Sequence, residues 1–383
     1  MTKPNALSFL HLNSQIHRFF GKSFVRNLSA EALPGDYPRK IESFKLFSVL
    51  LRSQLRLLPG IRSILEDYGP ELGTANTSTL SYAMRSHTHL AFAAGMLERL
   101  SPKRYRPGEL VAVDSMAVSL PATRTHGCAP MNDTTVGGGF LWAYRIAVGP
   151  GELPLRLLAS YAGTRCDSTL LATVSLAPRG PVYLFDRGAY RIDLLARWLD
   201  EGVRFIQRVR KNRLCYEVVS QTGPPRRHRR LSIVLDAVVR LGSPNRRGRR
   251  PAVRLVVAAL PDGEDLIVAS SEMKWSAARL LDSYRKRWDI EGFHKLLKRQ
   301  VGLAHVYSFQ QLGIELQTLL TAILAVMLYL RETPAGEAPQ ITIERLQQAL
   351  KNARKPLGLR HPWLPNTCGR KRSQTTGRRC SNH

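Results

Sequence analysis

The sequence predicts an α/β fold: a mixed sheet flanked by helices, with a run of helices before it and a β-rich insertion inside it. Three observations predict this. Leu110 to Leu120, LVAVDSMAVSL, is an apolar strand-like run with one charge, Asp114, in its middle. Val182 to Phe185 is a second short apolar run; Asp186 stands at its end and a helical segment, Tyr190 to Glu201, follows. Tyr284 to Lys298, YRKRWDIEGFHKLLK, has helical spacing with Ile290, Phe293 and Leu297 on one side.

The elements before the sheet are helical. Ile41 to Leu58 carries Phe44, Phe47, Leu50, Leu51 and Leu55 at helical intervals, and Pro59-Gly60 stops it. Asn76-Thr77-Ser78-Thr79 is rich in N-cap types and opens another helix. His89 to Leu100 reads as a third. Arg39, Lys40, Arg52, Arg56 and Arg62 make this part basic. Each is either ordinary surface charge or part of a DNA-end recognition unit.

Within the sheet, Asp114 interrupts an apolar strand. A buried carboxylate is costly unless paired or metal-bound, so Asp114 is a site candidate; the alternative is a position at a sheet edge. Gly137-Gly138-Gly139 follows a loop, then Phe140 to Val148 and Leu153 to Tyr161 read as two antiparallel strands joined by a Pro-Gly turn, and Asp167 to Ala177 as a helix. Asp186 lies at the C-terminal end of its strand, where functional residues collect in α/β sheets. An aspartate before Arg187-Gly188 also suits a plain turn. Val203 to Asn212 reads as the next strand.

The insertion carries two basic clusters. Arg226, Arg227, Arg229 and Arg230 surround His228; Arg246, Arg247, Arg249 and Arg250 surround Gly248. Leu231 to Leu241 and Val253 to Leu260 read as strands flanking the second cluster, and Asp265 to Ala269 as a third. Arginine-rich hairpin tips suit phosphate contact, so the two clusters, read as one hairpin, are DNA-binding candidates. Leu316 to Leu330 is a buried apolar helix. Ile341 to Arg354 is a last amphipathic helix, and a basic tail expected to be disordered follows Lys355. The expected division is 1–105 helical, 106–332 catalytic, 213–270 the basic insertion within it, and 333–383 a C-terminal helix and tail.

Charge narrows the partner. The chain has 57 Lys+Arg against 29 Asp+Glu, a net charge of +28, which asks for a polyanion. Nucleic acid leads, and an anionic membrane surface is second. The longest apolar run, Thr318 to Leu330, falls short of the roughly 20 residues a spanning helix needs. No hydrophobic signal core opens the sequence, so a cytoplasmic protein is expected. The five cysteines form no CxxC pair, which argues against structural zinc. Neither a Gly-rich nucleotide loop nor a cysteine nucleophile competes for a catalytic role.

On a helical wheel, Tyr284, Arg287, Glu291 and Lys298 share an arc of about 60°. Their order and spacing resemble the YREK signature of bacterial insertion-sequence transposases, the family named after insertion sequence four. Asp186-Arg187-Gly188 and the FIQRVRKN stretch (205–212) resemble that family around its second catalytic aspartate, and STLSYAMRS (78–86) resembles its N-terminal domain. The resemblance covers about half the chain. It implies a ribonuclease-H-like catalytic core and a DDE transposase working by cut and paste. Asp114, Asp186 and Glu291 would be its catalytic and metal residues, holding two Mg²⁺ ions, with Mn²⁺ as a substitute. Tyr284, Arg287 and Lys298 would hold phosphates. The implied partners are double-stranded DNA, both element ends and target, and a second copy of the chain in a DNA-bound homodimer on the bacterial nucleoid. No membrane and no nucleotide cofactor are implied. The alternatives are a decayed or domesticated transposase that only binds DNA, and a ribonuclease-H-like nuclease without joining activity. One departure stands out. Relatives that form DNA hairpins stack a flipped base on an aromatic of the insertion, usually tryptophan. Residues 213–270 contain no Trp, and Tyr216 is their one aromatic. Tyr216 or nearby Trp275 is the substitute.

Overall fold

The computed structural model describes residues 20–30, 41–100, 105–120, 129–131, 134–145, 155–161, 167–245, 248–299 and 306–332. Arg246, Arg247, the expected helix at 341–354 and the basic tail lie outside these.

The helical run consists of α1 (Lys22–Ala30), α2 (Ser43–Arg56), α3 (Ile61–Leu72), α4 (Thr77–Ala83) and α5 (His87–Leu100). Asn76 caps α4 as expected: its side chain accepts from the Ser78 backbone N–H at 2.9 Å. These helices do not form a core of their own. Leu50, Phe92 and Met96 belong to the same buried cluster as Ile323 and Leu324 of the apolar helix α10 (Gln311–Glu332) and Met116 of the sheet. The Gln54 side-chain amide ties α2 to α10 by donating to the Gln317 carbonyl. Burial of such side chains stabilises by about 1.5–3 kcal/mol each, so the helical run is bound to the sheet through α10. Two of its basic residues are internal partners. Arg52 is buried and pairs with Glu71, and Arg56 pairs with Asp67 at 2.6 Å. None of the described helices is long and apolar enough to cross a membrane.

The sheet begins with β1 (Leu110–Leu120), β2 (Ala129–Met131), β3 (Thr134–Arg145) and β4 (Leu155–Tyr161). After α6 (Asp167–Leu171) come β5 (Val182–Phe185), α7 (Ile192–Asp200) and β6 (Arg204–Arg208). β4, β3 and β1 are successive antiparallel neighbours, and β5 and then β6 join parallel on the other edge of β1. This is the ribonuclease-H-like order. Alternation along β1 sends Val111 and Val113 to one face, in the cluster with Leu194, Leu195 and Trp198 of α7. It sends Ala112, Met116 and Val118 to the face shared with α10.

The insertion does not stand apart. β11 (Asp265–Ser270) pairs antiparallel with β6, and β10 (Ala252–Ala259), β9 (Leu231–Leu241) and β7 (Tyr216–Gln221) continue the same sheet outward. A short strand, β8 (Arg226–His228), also lies along β9. Three expectations need correction here, and one strand, β7, had no expectation to meet. The two arginine clusters are not on one hairpin: the first forms the β8–β9 turn and the second leads into β10, at opposite ends of β9. β7 was invisible in the sequence because both its faces are exposed, so no alternation marks it. The helix expected at Asp167 to Ala177 stops at Leu171, where Thr173 turns its N–H and hydroxyl onto the Leu170 carbonyl. The strand expected from Phe140 starts earlier: β3 runs from Thr134, with Gly138 and Gly139 already paired with β1.

Candidate active site

The site forms where β1, β5 and the C-terminal helices meet. Asp114 shares its face of β1 with Ala112 and Met116, the face toward those helices. The β1–β5 register ends at Val113 opposite Phe185. Asp114 is the next residue of β1 and Asp186 the first residue after β5, so the topology brings the two to the same end of this strand pair. Gln207 of β6, fully buried, holds the second position: its amide donates to the Asp186 carbonyl at 2.6 Å.

The third carboxylate comes from the YREK segment, which is not one helix. It is split into α8 (Ala277–Arg285) and α9 (Trp288–Arg299). Between them the N–H groups of Lys286, Arg287, Asp289 and Ile290 bond three residues back, a tightened turn in place of the α-helical ladder. This junction aims residues of both helices at the carboxylates. The Tyr284 hydroxyl donates to Asp186 Oδ1 at 3.3 Å. Arg287 Nη2 lies 2.5 Å from Glu291 Oε1 and 3.8 Å from Asp186 Oδ1, and Nη1 lies 3.9 Å from Asp114 Oδ2. One guanidinium therefore gathers all three predicted carboxylates. Tyr284 and Arg287 are buried, although the helical wheel placed them on the open side; Glu291, with 40% of its side chain exposed, and Lys298 are partly open to solvent. Ile290, Phe293 and Leu297 are buried as expected.

Electrostatics follow from this crowding. Burial alone would lower the Arg287 pKa, but Tyr284, Asp186, Glu291 and Asp114 together raise it, so it stays a cation. Burial pushes the Tyr284 hydroxyl up to about 12, against the pull of Arg287. Burial lowers Lys298, while its attraction to Asp114 opposes the shift.

Sequence reading missed His294. It is buried, with Nδ1 3.7 Å from Asp114 Oδ2. Burial first, then Lys298 and Arg287, lower its pKa to about 3, so it is neutral at ordinary pH. Its signal was position: it lies one turn after Glu291, beside the YREK arc. The aromatics named for base stacking are placed away from this junction, and Trp288 is the exposed one beside it. It is 64% exposed and follows Arg287 directly, whereas Trp275 is buried and Tyr216 lies on β7 at the far end of the sheet.

Among the described residues, no three acidic, His or Cys groups are already gathered as a metal cluster. Arg287 sits among the carboxylates as their shared counter-cation. The donor set still fits a hard divalent ion, since all three groups offer carboxylate oxygens. Unpartnered buried nitrogens, Arg287 Nε and His294 Nε2, mark the same place as incompletely bonded.

Elsewhere, several predicted DNA contacts are engaged within the chain. Arg226 pairs with Asp236, Arg229 with Asp282, Arg249 with Asp200 and Arg250 with Glu217. Arg227 and Arg230 are exposed and make no ion pair among the described residues.

Comparison with known proteins places the chain. The family model described as transposase DDE domain matches residues 107–328, more than half of the sequence. A piggyBac transposase, solved by cryo-EM as a synaptic complex with hairpin DNA, aligns with a TM-score of 0.43 and 10% identity, over 91% of this chain and 82% of that chain. No match is found among curated proteins.

Proposed function

From the premise that the chain belongs to the transposase DDE domain family, we propose that it is a DNA transposase of the YREK type, which cuts element ends and joins them to target DNA at the Asp114–Asp186–Glu291 site. The observation that carries this reading is the single Arg287 guanidinium within 3.9 Å of all three carboxylates.

Asp114, Asp186 and Glu291 would hold divalent ions, two Mg²⁺ or Mn²⁺. When bound, such ions supply Lewis acidity for phosphoryl transfer and ease ionisation of the attacking hydroxyl. The chain's own residues do the positioning. Gln207 fixes the Asp186 backbone, and Tyr284 orients its carboxylate. Arg287 has a fork that suits a phosphate as well as a carboxylate, so a scissile phosphate would draw it off the carboxylates and free them. Lys298 adds a point charge on the Asp114 side. Neutral His294 backs Asp114 without adding charge. Trp288, open beside Arg287, takes over from Tyr216 and Trp275 as the aromatic that stacks on an unpaired base. Two copies of the chain would act on paired ends.

The test is cleavage of labelled element-end DNA with and without Mg²⁺. Asp114→Asn, Asp186→Asn and Glu291→Gln should each abolish cleavage and spare DNA binding. Retained cutting by any of the three removes that residue from the site.

A further inference from the structure

A cleft of about 460 Å³ runs beside α8, outside the carboxylate site. Gly108 and Leu110 at the start of β1 line one side; Trp275, Arg279, Asp282 and Lys286 line the other. Arg279, Asp282 and Lys286 share the outer stripe of α8, opposite the buried Leu280, Leu281 and Tyr284.

The cleft is built around a flat cation. The Arg279 guanidinium carbon stands 3.8 Å over the Trp275 ring. Arg204 approaches the same ring at 5.9 Å and is itself clamped by Glu272 through two hydrogen bonds of 2.7 Å. The indole is thus fixed, and Arg279 lies over it while remaining exposed to solvent. The one acid of the cleft is spoken for: Asp282 contacts His228 Nε2 at 3.1 Å and Arg229 Nη2 at 3.4 Å. Among the described residues no carboxylate pairs with Arg279 or Lys286, and both are exposed. The cleft therefore asks for an anion.

Its position says which kind. Lys286 immediately precedes Arg287 of the carboxylate site. Arg279 lies seven residues earlier, roughly 10 Å along the helix axis. A nucleic-acid strand carries one charge per roughly 3.4 Å of rise, so the two cations span about three nucleotides. We propose that this cleft is a second nucleic-acid subsite. It holds the phosphate backbone of the DNA strand leading to the scissile phosphate, with Lys286 near the reacting end and the stacked Arg279 further out. This rests on the transposase reading and adds a contact track outside the YREK residues.

The test is anisotropy of the full-length chain with a fluorescein-labelled DNA of mixed sequence, in EDTA, as a function of salt. Removing both contacts in R279A/K286A should flatten the plot of log affinity against log salt by about 1.4–1.8, at 0.7–0.9 per phosphate contact. Arg279→Lys should keep the wild-type slope yet bind more weakly at every salt, because an ammonium does not lie flat on Trp275. An unchanged slope in R279A/K286A, with normal wild-type binding, overturns the subsite and leaves the transposase reading intact. Wild-type affinity for Arg279→Lys also overturns it, since the charge would then be generic. Displacement of the DNA by free AMP from the wild type alone would mark a mononucleotide site and overturn it as well. If the wild type binds no DNA, both readings fall together.

Discussion

Arg254 and Arg287 are both buried beside carboxylates, yet they stand in opposite situations. Arg254, on β10, meets one acid: its Nε and Nη2 donate to the two oxygens of Asp236 at 2.8 and 2.9 Å, and Nη1 donates to the carbonyls of Met273 and Trp275. Its charge is matched and its nitrogens are used. Arg287 meets three acids, bonds one closely, stands off from two, and leaves Nε without a partner. The first arrangement is complete and ties the insertion to the chain entering α8. The second has surplus negative charge around an under-bonded cation, which is what a site awaiting other cations looks like. Burial and ion pairing alone do not separate scaffold from site; the balance of charge and bonds does.

The largest expected effect breaks the complete member of the pair. Arg254→Ala leaves Asp236 buried with only the half-exposed Arg226 beside it. Removing one partner of a buried pair costs about 3–5 kcal/mol. Urea unfolding should show that loss, and the double variant D236A/R254A should recover part of it. If R254A unfolds like the wild type, the contrast with Arg287 collapses.

Arg287→Ala should do the reverse. Stability should fall less than in Arg254→Ala, because the carboxylates left behind keep 19–40% of their side chains in water, whereas Asp236 keeps 2%. Single-turnover cleavage on preassembled protein–DNA complexes should slow by about 10²–10³-fold, the usual cost of losing a preorganised donor. A wild-type cleavage rate would make Arg287 a second structural arginine.

How much of this was legible beforehand follows the same division. β1, β5 and β9 matched residue for residue, because apolar runs bounded by turns leave little choice of period. Asp114 and Asp186 stood out as lone charges on such runs. Other features depended on partners distant in sequence. Nothing local says that Arg52 and Arg56 turn inward to Glu71 and Asp67, or that Lys286 and Arg287 break the helix. His294 hid in an ordinary amphipathic pattern, since its burial against Asp114 is a tertiary fact.

Histidine 294 offers a smaller effect that sharpens the contrast. Its folded pKa of about 3 lies below the roughly 6.5 of an unfolded chain. Between those values the unfolded state binds the extra proton, so stability is full above about pH 6.5 and falls as pH drops toward 3. In metal-free protein, His294→Gln should flatten the acid limb of the stability–pH curve. An identical limb in the variant would mean that the imidazole is solvated and does not back Asp114.

The smallest effect concerns arginines that are neither scaffold nor site. Arg227 and Arg230 are exposed in the β8–β9 hairpin, while their neighbours Arg226 and Arg229 are held by Asp236 and Asp282. Exposed, unpaired side chains lend little to folding, so R227A/R230A should unfold within about 0.5 kcal/mol of the wild type. As free cations they should each contribute about 0.9 to the salt slope of duplex binding. Arg226→Ala and Arg229→Ala should flatten that slope less, because each already spends its charge on an internal carboxylate. Slopes measured by anisotropy for the two pairs separate the possibilities. Equal losses would mean that the internal pairs open freely on DNA, and that the hairpin acts as one basic patch whose intramolecular partners count for nothing.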